Sequence, residues 1–269
     1  MAKKLRLPVL LGIVISLALG SGGVAGSGSQ VAMSVSSING VVDVRIGGFV
    51  FERGSAVALE FMQDAAADCF GSDVSVSQLQ LNDENGQLIV QVVVEPASSI
   101  VDWLGQIELE DSDGQPLPVG SYSLVVMTNV GTFSVDIEVV DPSRFTELGR
   151  YSATATICGL SLRVYRLFTE ADAGAHGTLR AGDRLLVVLE GNPTTGYEWT
   201  NTLLYEFATL RQIGDVEFRP ESGLIGAGGL FLFRYEAIAV GPQAFRFAYQ
   251  RPWESAEPER LLEFSVDVH

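Results

Sequence analysis

Beyond Lys4 the chain contains no lysine, so arginine carries all the remaining positive side-chain charge. Acid is in excess: 33 aspartates and glutamates oppose 17 lysines and arginines, a formal net charge of −16. Between residues 26 and 142 the only cations are Arg45 and Arg53. A surface of that sign repels nucleic acid and anionic lipid, so neither is an expected partner. Lysine depletion with excess acid accompanies salt adaptation and also biased genome composition, and composition does not separate the two. Histidine is almost absent as well. His176 lies in a glycine- and alanine-rich stretch, residues 173–177, that reads as a flexible loop, and His269 is the last residue. No His-x-x-x-His pair exists, neither cysteine has the flanking pattern of a known nucleophile, and no paired-carboxylate signature stands out. No catalytic residue, metal site or cofactor is expected, and the chain does not read as an enzyme.

Long apolar runs are also missing after the first twenty residues. The N-terminus joins a short basic region to an apolar run at 7–19 and then to small residues, with Gly23 and Ala25 forming a small-x-small site. This is the pattern of an export signal over residues 1–25, cut after Ala25. The apolar run is short for a span, which takes about 20 apolar residues, although an uncleaved anchor is the competing reading. No cysteine precedes residue 31, which excludes a lipoprotein anchor. The expected location is secreted or periplasmic, with no stable membrane insertion once the signal is gone. Cys69 and Cys158 are the only cysteines. In an oxidising compartment they can form a disulfide linking the two halves, or remain two buried free thiols; spacing does not choose.

What remains is strand after strand. Candidates are 41–46, 56–61, 78–81, 88–94, 106–110, 122–127 and 132–139, with hairpin turns at Asn82-Asp83-Glu84-Asn85-Gly86 and Asp111-Ser112-Asp113-Gly114. The oxygen-rich turns have calcium-like spacing but lack the closing glutamate of an EF-hand, and aspartate or asparagine before glycine also simply makes turns. Residues 62–70 favour a short helix or a loop. Asp141-Pro142-Ser143 ends this unit, because proline cannot donate to a ladder. A second strand series follows at 161–168, 184–190, 197–202, 208–213, 230–239, 244–250 and 261–268. Tyr197 and Trp199 share a face and are expected in its core. The chain is therefore expected to be all-β: two immunoglobulin-like sandwiches after the signal, at 26–142 and 150–269, joined by a linker at 143–149.

Three turns of the second unit carry contact-making residues. In Asn192-Pro193-Thr194-Thr195-Gly196-Tyr197, Pro193 fixes its own φ, the residue before it is pushed to extended backbone, the threonines are stiff, and Gly196 can take a positive φ. The product is a projecting loop with little freedom left to lose. Gly226-Ala227-Gly228-Gly229, preceded by Leu224 and Ile225, permits close backbone approach to another chain. In Arg251-Pro252-Trp253-Glu254, Pro252 breaks an alternating strand, so Trp253 is expected to leave the core and face solvent beside arginine, the composition of a binding hot spot. Alternate strand connections of a sandwich emerge at one end, which would set the first and last of these loops side by side.

In this order, on a β-rich domain, the three stretches resemble the chagasin-like family of cysteine-protease inhibitors over residues 150–269. The resemblance implies that the three loops plug the cleft of papain-like cysteine proteases reversibly. It implies that Thr194 and Thr195 approach the catalytic cysteine, that the second loop is a mobile finger, and that the third packs on an aromatic wall beside the active site. A monomer is expected. The alternative is a non-inhibitory extracellular adhesion or binding protein built of β-sandwich modules, since fold alone does not separate binding from inhibition.

Overall fold

A computed structural model describes residues 32–38, 41–63, 74–99, 103–144, 154–157, 160–203, 209–222 and 224–269. The export signal, Cys69 and Cys158 lie outside the described residues, as does most of the 62–70 segment; Met62 and Gln63 finish a strand.

The described residues form an all-β architecture of three sheets. The first sheet lies within the N-terminal half and runs in the order β1 (Ala32–Ile38), β2 (Val41–Glu52), β8 (Gly131–Val140), β7 (Gly120–Thr128), β4 (Ser75–Asp83), β5 (Leu88–Ser99). The second runs β14 (Leu210–Gln212), β16 (Gly229–Ala237), β12 (Arg184–Gly191), β10 (Leu160–Phe168), β3 (Ala56–Gln63), β6 (Leu104–Glu108), with β15 (Glu217–Pro220) also on β16 and β9 (Thr154–Ile157) also on β10. The third runs β11 (His176–Leu179), β18 (Arg260–Val268), β17 (Gly241–Gln250), β13 (Glu198–Asn201).

The second sheet crosses the expected linker. β3 pairs with β10 antiparallel through eight residue pairs, from Leu160 opposite Gln63 to Leu167 opposite Ala56. Strand period then decides what each face meets. Val57, Leu59 and Phe61 on β3 continue into Leu162 and Val164 on β10, Leu185, Val187 and Leu189 on β12, and Phe231, Phe233 and Tyr235 on β16, all buried in one core. Phe61 meets Phe133 of the first sheet edge-on at 5.2 Å, while Phe233 meets Phe247 of the third at 4.9 Å. The first and third sheets thus lie on the same face of the second, one over each half. The opposite face buries a smaller cluster that includes Ala58, Tyr165, Leu186 and Leu232.

Several local expectations change. His176 is not in a loop but opens β11, with Nδ1 2.9 Å from Ser265 Oγ and Nε2 3.3 Å from Asp267. Its strand is four residues long, too short for alternation to be visible in the sequence. The strands β1, β9 and β15 also escape pattern reading, being serine-rich, very short, or proline-ended. At the two oxygen-rich turns the aspartates close the backbone. Asp83 Oδ1 accepts N–H bonds from Asn85 at 2.9 Å and Gln87 at 2.7 Å, and Asp111 Oδ1 accepts from Asp113 and Gln115, both at 2.9 Å.

Candidate functional site: three loops at one sheet end

The first loop leaves β12, whose interior residues are buried, and its shape is set by its own hydrogen bonds. Asn192 is extended at φ −137°, and its side chain accepts from Thr194 N–H at 3.0 Å and from the Thr194 hydroxyl at 2.6 Å. Thr195 Oγ1 donates to Asn192 O at 2.6 Å. Pro193–Thr195 form a single 3-10 turn, closed by Gly196 N–H on Pro193 O at 3.0 Å with Gly196 at φ +83°. Only glycine adopts that φ without strain. The loop is therefore capped at its start by an asparagine and at its end by a left-handed glycine, with both threonines exposed.

The second loop rises from β15 and returns into β16. Glu221 N–H donates to Gly228 O at 3.0 Å, and Ala227 N–H to Leu224 O at 3.1 Å, so the tip is a tight turn. Gly226 takes φ +88°. Leu224 and Ile225 stand out into solvent, with 77% and 106% relative exposure. The glycines are not all at the tip, as the sequence pattern implied. Gly229 is the first residue of β16 and is buried, and a Cβ there would fall 2.2 Å from Arg219 O. It serves the packing of β15 on β16.

The third loop follows β17, which ends at Gln250 just ahead of Pro252. Glu254 N–H donates to Arg251 O at 3.1 Å, making a turn with Trp253 at its corner. Trp253 is 70% exposed, as the proline predicted. Arg251 pairs with Glu254 at 2.8 Å and stacks over the Tyr197 ring at 4.7 Å.

The loops are joined to one another. Asn192 Nδ2 donates to Gly226 O at 2.8 Å, which ties the first to the second. Arg251 Nε donates to Thr195 O at 3.3 Å, and Trp253 lies over Gly196, which tie the third to the first. The first loop is the centre of the row. Between the loops runs a cleft of about 510 Å³, lined among others by Asn192, Thr195, Tyr197, Gly228 and Arg251.

Beneath the cleft is a support that sequence reading did not single out. Asn192 N–H donates to the Tyr249 hydroxyl at 2.8 Å. Tyr249 stacks on Tyr197 at 5.2 Å and meets Trp199 at 5.1 Å. Arg260 lies over both Tyr249 and Trp199, at 4.3 and 5.0 Å, donates to Glu190 O at 2.6 Å, and pairs with Glu170 at 2.9 Å. Burial pushes the Glu170 carboxyl above its ordinary range, against the opposing pull of Arg260. Trp199 is in the core as expected, but Tyr197 is only half-buried, because its ring forms the floor of the cleft under Arg251. Tyr249 lies near the end of the alternating strand that Pro252 breaks, but nothing local to it or to Arg260 marks the contact with the first loop.

A family model, Chagasin family peptidase inhibitor I42, matches residues 178–268. Chagasin of Trypanosoma cruzi is 34% identical over 88 residues, which are 32% of this chain and 80% of the relative. Amoebiasin-2 of Entamoeba histolytica is 28% identical over 116 residues, 42% of this chain and 94% of the relative. Among solved structures, a cysteine protease inhibitor from Entamoeba histolytica shares 27% identity, covering 38% of this chain and 94% of that chain, at a TM-score of 0.35. Through its C-terminal immunoglobulin-like half, the chain belongs to the chagasin family, whose members are peptidase inhibitors and not enzymes.

Proposed function

We propose that this chain is exported and reversibly inhibits papain-like cysteine proteases, its three loops filling the active-site cleft together. The observation that carries the reading is the bonding of Asn192 to Gly226 and of Arg251 to Thr195, which makes one continuous edge from three separate turns. In the bound state Thr194 and Thr195 face the catalytic cysteine. The 3-10 turn at Pro193–Thr195 offers no extended backbone there, so no peptide bond is presented in attack geometry and the inhibitor is not consumed. Leu224 and Ile225 enter an apolar pocket on one side, and Trp253 packs on an aromatic wall on the other. The internal bonds of the first loop keep its ordering cost small at binding. Protease–inhibitor interfaces bury about 1,600 Å² in total, within reach of three loops. Each copy carries a full set of loops, so one chain suffices per protease.

Titration of the mature protein against papain and against trypsin tests this. Stoichiometric, reversible loss of papain activity with trypsin untouched is the expected result. A folded protein that leaves papain fully active at micromolar concentration excludes it and leaves the adhesion reading.

A further inference from the structure

Among the side chains that β3 packs into the inhibitor half is one buried carboxylate, Glu60. Glu60 lies on β3, its side chain 2% exposed, and among the described residues its charged partners, Arg219 and Arg234, come from beyond residue 160. The Tyr165 hydroxyl donates to it at 3.0 Å, Arg219 Nη2 at 2.8 Å and Arg234 Nε at 3.2 Å. Arg219 and Arg234 also pair with Glu217, at 2.6 and 2.7 Å. Two carboxylates and two guanidiniums thus balance on the face of the second sheet that buries Tyr165, Leu186 and Leu232.

Arg219 and Glu217 belong to β15, the strand that delivers the chain into the second loop. That strand has four residues, none of them fully buried, and among the described residues it pairs with β16 alone. Its apolar hold is Phe218 on Phe231, 5.0 Å apart. A short edge strand with so little buried surface opens easily unless something else fastens it. The charge cluster does that, and Glu60 is the member supplied from outside.

We infer that Glu60 is a positioning residue for the second loop: by gripping Arg219 it holds β15 in place and so fixes the direction in which Leu224 and Ile225 project. This gives the N-terminal half a part in inhibition without contact to the protease. Its consequence for affinity rests on the inhibitory reading above; the grip itself does not. Without Glu60, two arginines share Glu217, and the base of the loop is freed. Loss of pre-organisation is then read as weaker binding.

The test is amide hydrogen exchange and papain inhibition on the full chain, with Glu60→Gln, Arg219→Met and Arg219→Lys. Glu60→Gln and Arg219→Met should speed exchange about tenfold across residues 217–229, leave 192–197 at the wild-type rate, and weaken inhibition about tenfold. Arg219→Lys keeps a charge within reach of Glu60 and should recover most of both. Arg219→Met leaves the Glu60–Arg234 pair intact, so it decides the matter if Glu60→Gln does not fold. Wild-type exchange at 217–229 in the folded variants, or a rise spread evenly over the chain, overturns the proposal. Failure of the wild type to inhibit papain sinks the inhibitory reading alone, since the exchange arm still reports on the grip.

Discussion

Trp253 lies across Gly196 so closely that a Cβ at position 196 would fall 2.6 Å from the indole. The glycine is thus required twice, once for its φ of +83° and once for the approach of the third loop to the first. Gly196→Ala should cost on the order of 1–3 kcal/mol in strain and displace the indole. The expected outcome is inhibition weakened by tenfold or more with a small drop in melting temperature, measured by papain titration and thermal unfolding. Unchanged inhibition would mean that Trp253 binds independently of the first loop.

The two indoles on either side of the site separate binding from stability. Trp199 is 4% exposed and its Nε1 donates to Glu190 O at 2.9 Å, whereas Trp253 is 70% exposed. Trp253→Ala should cost about 2 kcal/mol of binding and little stability. Trp199→Ala should destabilise by about 3–5 kcal/mol. Denaturant melts and inhibition constants for the pair check this. Equal loss of stability in both would show that the exposed indole supports its own domain.

The contrast between these residues also marks how far sequence reading reaches. Proline and glycine act through local backbone rules, so the shape of the first loop and the exposure of Trp253 were legible from Pro193, Gly196 and Pro252. Alternation revealed the long strands for the same reason. Tyr249, Arg260 and Glu60 matter through what faces them across sheets, and no local pattern encodes a partner 57, 70 or 174 residues away. The shared second sheet was invisible on the same ground: β3 and β10 each read as an ordinary half-buried strand, and only pairing shows that they are neighbours.

That pairing bears on residues 150–269 as a fragment. All three loops and the strands that carry them lie inside it, which favours independent folding. The full chain, however, covers the edge of β10 with β3 along eight residue pairs and supplies Glu60 to Arg219 and Arg234. Cutting between the halves exposes a sheet edge and leaves two arginines on one carboxylate. Open edges invite pairing with another copy. The fragment should therefore inhibit papain, but melt at lower temperature than the full chain and self-associate with rising concentration. Gel filtration and thermal melts at several concentrations measure both. A monomeric fragment as stable as the full chain would show that β3 adds nothing to β10.

The same charge cluster sets a pH dependence. Burial alone would push Glu60 upward, but the hydrogen bond and charge of Arg234, with Tyr165 and Arg219, outweigh it and leave the carboxyl below its ordinary range. Glu217 is likewise held below its ordinary range by Arg219 and Arg234, again against its own burial. A carboxylate lowered on folding contributes stability that is complete above its unfolded pKa, about 4.3, and is lost as pH falls through the lower folded value. Melting temperature should hold from pH 7 to about 5 and then drop toward pH 3. Glu108 runs the other way: burial, with Asp172 and Glu110 nearby, raises its carboxyl, so its charge costs stability at neutral pH and protonation relieves it. Glu108→Gln should therefore raise the melting temperature at pH 7 and not at pH 3. Glu60→Gln should lower it at pH 7, where a broken buried pair costs about 3–5 kcal/mol, and converge on the wild type in acid. Parallel curves for wild type and Glu60→Gln from pH 7 to pH 3 would mean that Glu60 is not ionised in the folded chain.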